Sequence, residues 1–162
     1  MSSKRVQVLE PPKVPVVIDT NVLVPSLYSN TPIAQFLFSG NLILVWSAYI
    51  YNEACEIIYR LSARYLQKAG VFPEEVLELL KIVTTIGREV TDMPEDWPPY
   101  SRDREDDPFL WAALVGGAEY IISEDDSHML ELKSFQGIPI GTPRQFFEWV
   151  KIVHPITLAN KI

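Results

Sequence analysis

The feature of this chain that most limits its fold is a series of short, unbroken apolar runs, each set apart from the next by a segment with helical punctuation. Val16-Val17-Ile18, Leu42 through Trp46, Tyr120 through Ile122 leading into Ser123, and Ile138 through Ile140 are apolar at successive rather than alternating positions. A strand with no polar face is covered on both sides, the condition of a strand within a parallel sheet. The intervening segments carry matching helix signals. Thr31 before Pro32 starts a short helix over Ile33 to Phe38 that Gly40 closes. Ser47 caps a long helix running to about Lys68, with Ile50, Ala54, Ile57, Ile58 and Leu61 as its core-facing stripe. Pro73, Glu74 and Glu75 open a further helix that ends at Gly87, followed by a strand through Glu89 to Thr91. Asp107-Pro108 begins the helix Phe109 to Val115, which Gly116-Gly117 stops, and Thr142-Pro143 begins a last one carrying Phe146, Phe147 and Val150. Strands alternating with helices predict a parallel sheet covered by helices, with right-handed crossovers placing the strand C-termini along one edge. Ligands of such sheets bind outside that edge, where strand order reverses.

A length of 162 residues, with 48% apolar and 22% charged content, suits one domain able to bury a core without staples. Residues 1–14 lack periodicity and are expected to form a mobile arm, residues 15–151 the domain, and residues 152–162 a tail. The single cysteine, Cys55, excludes an internal disulfide framework and suits a reducing compartment. With no apolar run of signal-peptide or membrane-spanning length, a cytoplasmic location is expected. The net charge of −7 argues against a protein that binds nucleic acid by its own cations. It is compatible with nuclease chemistry if carboxylates hold divalent cations, which then present positive charge to a phosphate.

The acids fall where such a sheet would gather them. Asp19 ends the first apolar run and is followed by Thr20 and Asn21, a hydroxyl and an amide able to orient a carboxylate or a metal-bound water. Glu53 borders the apolar stripe of the long helix, where an unpaired carboxylate costs several kcal/mol. In Asp103-Arg104-Glu105-Asp106-Asp107, Asp107 reads as the cap of the next helix, Asp106 can point towards the strand ends, and Asp103, further out, can contribute. Asp125 follows the strand ending at Ser123 and is preferred over Asp126. Four acids arriving from four elements raise one another's pKa values unless cations sit between them. All-oxygen ligands favour Mg²⁺ or Mn²⁺ over zinc. Neither His128 nor His154 has a partner at metal-ligand spacing, and His128 reads as a surface or helix-cap residue. Two such ions ~3.5–4 Å apart would activate a water and stabilise the leaving oxygen of a phosphodiester.

These residues resemble a known family. VVIDTNVLV at 16–24, Glu53 in its long helix, DREDDPFLWAAL at 103–114 and GGAEYIISEDDSHML at 116–130 together are similar to PIN domains, and within them to the PIN-type toxins of VapBC-like toxin–antitoxin pairs. The resemblance spans roughly Val16 to Val150. It implies a three-layer α/β/α sandwich with a parallel sheet of about five strands, and a Mg²⁺- or Mn²⁺-dependent ribonuclease. Carried over by position, it implies Asp19, Glu53, Asp106 and Asp125 as catalytic and metal-binding acids, with Asn21 and Ser123 in support. Where family members often carry Thr-Gly-Asp, this chain has Ser123-Glu124-Asp125. The resemblance further implies an RNA substrate, a homodimer and an antitoxin whose peptide enters the acidic groove; exposed rings of the first helices, such as Phe36 and Phe38, would be available to that partner, with core packing the alternative expected for most of them.

Two other readings compete. A phosphatase of the haloacid dehalogenase type also uses strand-end aspartates and Mg²⁺, but its second acid is here Asn21 and no lysine is suitably placed. A PIN-like RNA-binding or scaffold module without cleavage would not need to keep all four acids. Arg60, Arg64 and Lys68, at four-residue spacing on the long helix, suit either RNA phosphates or a solvated basic stripe.

Overall fold

A computed structural model describes residues 13–61 and 63–155, with the side chains of Ala63 and Arg64 left aside. Twelve residues of the expected arm and most of the expected tail therefore lie outside the described residues. Strand β1 (Val14–Ile18) is buried along its whole length, as an unbroken apolar run requires. It begins one residue before the expected boundary, because Val14 pairs with Leu42 of β2 (Leu42–Trp46). On its other side β1 pairs in parallel with β4 (Tyr120–Ile122), which pairs in parallel with β6 (Ile138–Gly141). Beyond β2 lies β3 (Arg88–Glu89), one position earlier than expected and also parallel.

The full order is β3-β2-β1-β4-β6-β5. Five of these strands run parallel, and β5 (Ser134–Phe135) adds a sixth, antiparallel edge strand that sequence reading missed. Its turn is Gln136-Gly137, with φ of 52° and 82°. Left-handed backbone at both positions is what a tight two-residue hairpin needs. Strand order reverses between β1 and β4, so the crevice for a ligand lies at their C-terminal ends.

Adjacent residues of β1 point to opposite layers. Val16 and Ile18 join a core with Leu23, Phe36, Ile58, Leu80 and Phe146, while Val17 joins Val45, Phe109, Leu110, Ile121 and Met129 on the other face. Helices cover both faces, giving the three-layer α/β/α sandwich. The first layer contains α1 (Thr20–Ser26), α2 (Pro32–Phe38), α3 (Ala48–Arg60), α5 (Pro73–Thr85) and α8 (Pro143–Val153). The second is built on α6 (Asp107–Val115) and α7 (Met129–Leu132). Three expected caps form: Thr31, Ser47 and Thr142 each accept a hydrogen bond from the amide three residues on.

Two expectations on the first layer are corrected. The long helix stops at Arg60, because Leu61 turns extended with ψ of 103°, and α4 (Ala63–Lys68) is a separate short helix. Arg60 and Lys68 therefore share no continuous helix face, and the side chain of Arg64 lies outside the described residues. Phe36 is buried and packs edge-on against Phe146 and Phe147, with ring centroids 5.7 Å away in each case. Only Phe38 of that pair is exposed. Helix α1 was not foreseen from the sequence, and it carries Pro25 near its end. Among the described residues no helix is long and apolar enough to cross a membrane.

Candidate metal centre

Asp19 leaves β1 at the reversal point, its amide bonded to the Ile122 carbonyl of β4 at 2.8 Å. It stands at the N-cap position of α1 but makes no capping hydrogen bond. Its carboxylate instead accepts from the hydroxyl of Ser123, Oγ to Oδ2 2.8 Å. Only 6% of Asp19 is exposed. Burial pushes its carboxyl pKa up, against the opposing pull of the Ser123 hydroxyl, and the charge of Asp125 adds to the rise. Ser123 is fully buried and works in two directions, because its Oγ also accepts from the Asp125 amide at 3.0 Å. One side chain thus fixes both strand-end aspartates.

Asp125 is oriented from its other side as well. The amide and hydroxyl of Ser127 approach its Oδ1 at 3.2 and 3.3 Å, and His128 Nδ1 stands 3.2 Å from its Oδ2. Asn21 Oδ1 accepts from the Glu124 amide at 3.4 Å, tying the start of α1 to this loop. Glu124, at the position where the resemblance implies glycine, sits in the loop without positive φ. Among the described residues only Lys133 and Gln136 combine a side chain with positive φ.

Asp106 arrives from a separate direction. It ends a single 3-10 turn, Arg104–Asp106, that leads into α6. That turn is held by Asp107, which is fully buried and was expected to cap the helix. It does otherwise: Asp107 is the first residue of α6 and reaches back to accept from the amides of Tyr100 and Ser101, the latter at 2.8 Å, and from Arg104 Nη1 at 3.0 Å. Asp103 caps the 3-10 turn, its Oδ1 accepting from the Glu105 amide at 3.0 Å. Upstream, Trp97 packs against Tyr100, Trp111 and Phe135 with centroids 4.8, 5.4 and 5.9 Å away, so an apparently featureless proline-rich loop is anchored.

Asp19, Asp106 and Asp125 converge: one carboxylate oxygen from each lies within 4.8 Å of the other two. Asp106 Oδ2 is enclosed and has no hydrogen-bond partner. Burial, then the charges of Asp19, Asp125 and Asp103, push the Asp106 carboxyl pKa up to about 7. A buried acceptor without a donor, facing other carboxylates, fits a divalent cation held by oxygens. Glu53 stands outside this trio. Its Oε2 accepts from the Thr20 hydroxyl at 2.9 Å, so the helix that presents it docks one hydrogen bond away from Asp19. Burial pushes the Glu53 carboxyl up, and nearby Asp19 adds to this.

Sequence reasoning missed His128. Besides Asp125, its Nδ1 lies 3.8 Å from Asp106 Oδ2, and Asp103, Asp106 and His128 form a second group of possible ligands within 4.8 Å. The search for histidine partners at fixed spacing could not find it, because Asp103 and Asp106 reach it only through the fold.

With the geometry in place, comparison with known families is decisive. A family model described as PIN domain matches residues 15–127. This chain belongs to the PIN domain family. The match takes in Asp19, Glu53, Asp106 and Asp125 and ends just before His128. PIN domains are generally nucleases that use divalent metals, and the trio of converging carboxylates is consistent with that class. No curated protein matches this chain.

The enclosed charge of Asp106 sets a stability cost in the metal-free PIN domain. A carboxyl whose pKa is raised in the fold, here from 3.8 to about 7, stabilises the fold when protonated. That contribution is full below about 3.8 and lost as pH rises through 7. Asp106→Asn is therefore expected to raise the Tm of chelator-treated protein at pH 8 and to raise it less at pH 5. A Tm that falls at pH 8 would show that Asp106 has an unrecognised partner.

Proposed function

We propose that this PIN domain is a Mg²⁺- or Mn²⁺-dependent endoribonuclease that hydrolyses RNA phosphodiester bonds, and that it is the toxin of a toxin–antitoxin pair. The observation that carries this reading is the convergence of Asp19, Asp106 and Asp125 around the unpartnered Asp106 oxygen. Asp19, Asp106 and Asp125 would hold the cation, with Ser123 fixing the first and third. When bound, a divalent ion supplies an activated water and positive charge for the phosphate. Glu53, held by Thr20, sits beside Asp19 where it can accept a proton from an attacking water. Asn21 braces the loop that presents Asp125. The net charge of −7 makes the ion the main attraction for an RNA phosphate at this edge.

The test is the chemistry of the products. Attack by water needs no ribose hydroxyl, so a single-stranded RNA carrying a 2′-O-methyl group at the cut nucleotide should still be cleaved, without a 2′,3′-cyclic phosphate. Cleavage blocked by that group, or a cyclic product, would contradict water-based hydrolysis. A toxin role in the cytoplasm, with a homodimer and an inhibitory antitoxin, follows from the family resemblance. Induced expression is then expected to arrest growth, and co-expression of a small adjacent gene to relieve the arrest. Normal growth on expression of active protein would remove the toxin assignment and leave RNA processing.

A further inference from the structure

Resting on the reading of this edge as an RNA-cleaving centre, we propose that the cavity between α1, α2 and α8 is a guanine-specific subsite, in which Glu124 reads the base next to the scissile phosphate and Arg144 and Lys151 receive the backbone. The cavity measures about 670 Å³, within the ~300–1,000 Å³ of small-ligand sites. It begins beside the carboxylate cluster. Asn21 and Glu124 border it, and Glu124 immediately precedes Asp125. The Glu124 amide donates to Asn21 Oδ1 at 3.4 Å, which joins the two halves of that border. A nucleotide seated in the cavity is therefore the neighbour of one whose phosphate lies at the metal centre.

Away from this border the lining turns apolar. Val22 and Ile33 are buried and Phe147 is half-buried, its ring braced by Phe36 and Phe146 with centroids 5.7 and 5.5 Å away. An apolar wall with a fixed aromatic ring takes the face of a base. Arg144, Phe147, Glu148 and Lys151 recur at three- and four-residue spacing, so one face of α8 presents ring and charges together. Arg144 pairs with Glu148 at 3.7 Å, both largely exposed, and Lys151 enters no ion pair among the described residues. In a chain of net charge −7 these two cations are a local exception, placed to receive a flanking phosphate. The cavity on the Glu53 side of the edge is less suited, because Glu53, Glu56 and Glu105 border it against Arg60 alone.

The carboxylate of Glu124 selects the base. Among the described residues it makes no hydrogen bond or ion pair, and it is exposed at the cavity border. An ionised carboxylate only accepts, through two oxygens side by side. Guanine alone of the four RNA bases offers two adjacent donors on its Watson–Crick edge, at N1 and N2. Adenine and cytosine set a single amine beside an acceptor nitrogen, and uracil sets one N–H between two carbonyls, so each would face the carboxylate with a repelling lone pair.

The experiment digests a single-stranded RNA pool of random sequence with the full chain and Mn²⁺, and reads the bases on both sides of every cut. Guanine is expected at one flanking position about 10-fold above the other bases, as a bidentate base contact allows. Replacing that guanosine by inosine, which lacks the N2 amine, should lower kcat/KM of wild type about 5-fold, and Glu124→Ala should cleave the two substrates at equal rates. In Lys151→Ala the slope of log kcat/KM against log salt should fall by about 0.7; an unaltered slope removes Lys151 from the subsite. Cuts without a guanine preference overturn the subsite, whether the cavity then holds a peptide or a second copy of the chain, and leave the nuclease reading standing. A guanine preference undiminished in Glu124→Ala also overturns it. No cleavage of the pool with Mg²⁺ or Mn²⁺ overturns both readings.

Discussion

Asp19→Asn is expected to reduce RNA cleavage by at least about 100-fold, the upper range seen even for partners of metal ligands, while the fold survives. The asymmetry follows from where Asp19 sits. Its carboxylate is buried, with its pKa already raised by burial, and accepts one short hydrogen bond from Ser123. An amide oxygen can accept that same bond, and the variant no longer buries a charge against Asp125 and Asp106, so the Tm of chelator-treated protein should be unchanged or higher. Lost with the charge is the strand-end carboxylate that converges with Asp106 and Asp125. Thermal shift with Mn²⁺ separates this from misfolding: wild type gains stability on adding the ion by mass action, and Asp19→Asn should gain little. Cleavage retained by Asp19→Asn would remove Asp19 from the catalytic set.

The largest stability effect is expected at Asp107, which stands outside the converging carboxylates. As the simple helix cap that the sequence suggests, its loss would cost about 1 kcal/mol. As the structure has it, Asp107 is fully buried and accepts from two backbone amides and from Arg104. Asp107→Ala leaves those donors unsatisfied, and a cost of about 3 kcal/mol is expected. Arg104 is partly exposed and can turn to water, which keeps the figure at the low end for a broken buried pair. At about 2–4 °C per kcal/mol for a chain of this size, Tm should fall by about 10 °C. Because the same loop carries Asp103 and Asp106, Mn²⁺ affinity should fall as well. A fall of only 2–4 °C, with unaltered Mn²⁺ binding, would restore the capping role.

Much of the fold is legible in the sequence because the signals are local. Val16-Val17-Ile18 announces a strand covered on two faces, and the core layers on either side of β1 show why neither position can be polar. Thr31-Pro32, Ser47 and Thr142-Pro143 place three helix starts through a hydrogen bond that spans three residues. Asp19 is legible for the same reason, standing directly after a buried strand. The break at Leu61 is not, since the apolar spacing runs on through it and the helix ends in the extended backbone of Leu61. Strand β5 is two residues long and is defined by its Gln136-Gly137 turn rather than by any apolar run.

The site itself is less legible, because its pieces meet across long intervals. Asp19 and Ser123 are 104 residues apart in sequence and share one 2.8 Å hydrogen bond, and Thr20 reaches Glu53 over 33 residues. A carboxylate's neighbours decide its role, and sequence spacing reports only those within a turn or two. That is why Asp107 looked like a cap, and why His128, which does stand at the N-cap position of α7, showed no sign of its place beside Asp106 and Asp125. It is also why Glu53, conspicuous on its helix, stands one hydrogen bond away from the three acids that converge.

The most direct measurement is cleavage of a labelled single-stranded RNA by the full chain, first stripped with excess EDTA and then supplied with Mg²⁺ or Mn²⁺. The converging carboxylates have no chemistry to offer a phosphodiester without an ion between them. The stripped protein should therefore be inactive, and activity should return with either cation in wild type but not in Asp19→Asn. RNA cleavage at an equal rate in excess EDTA would contradict the metal centre and with it the proposed function.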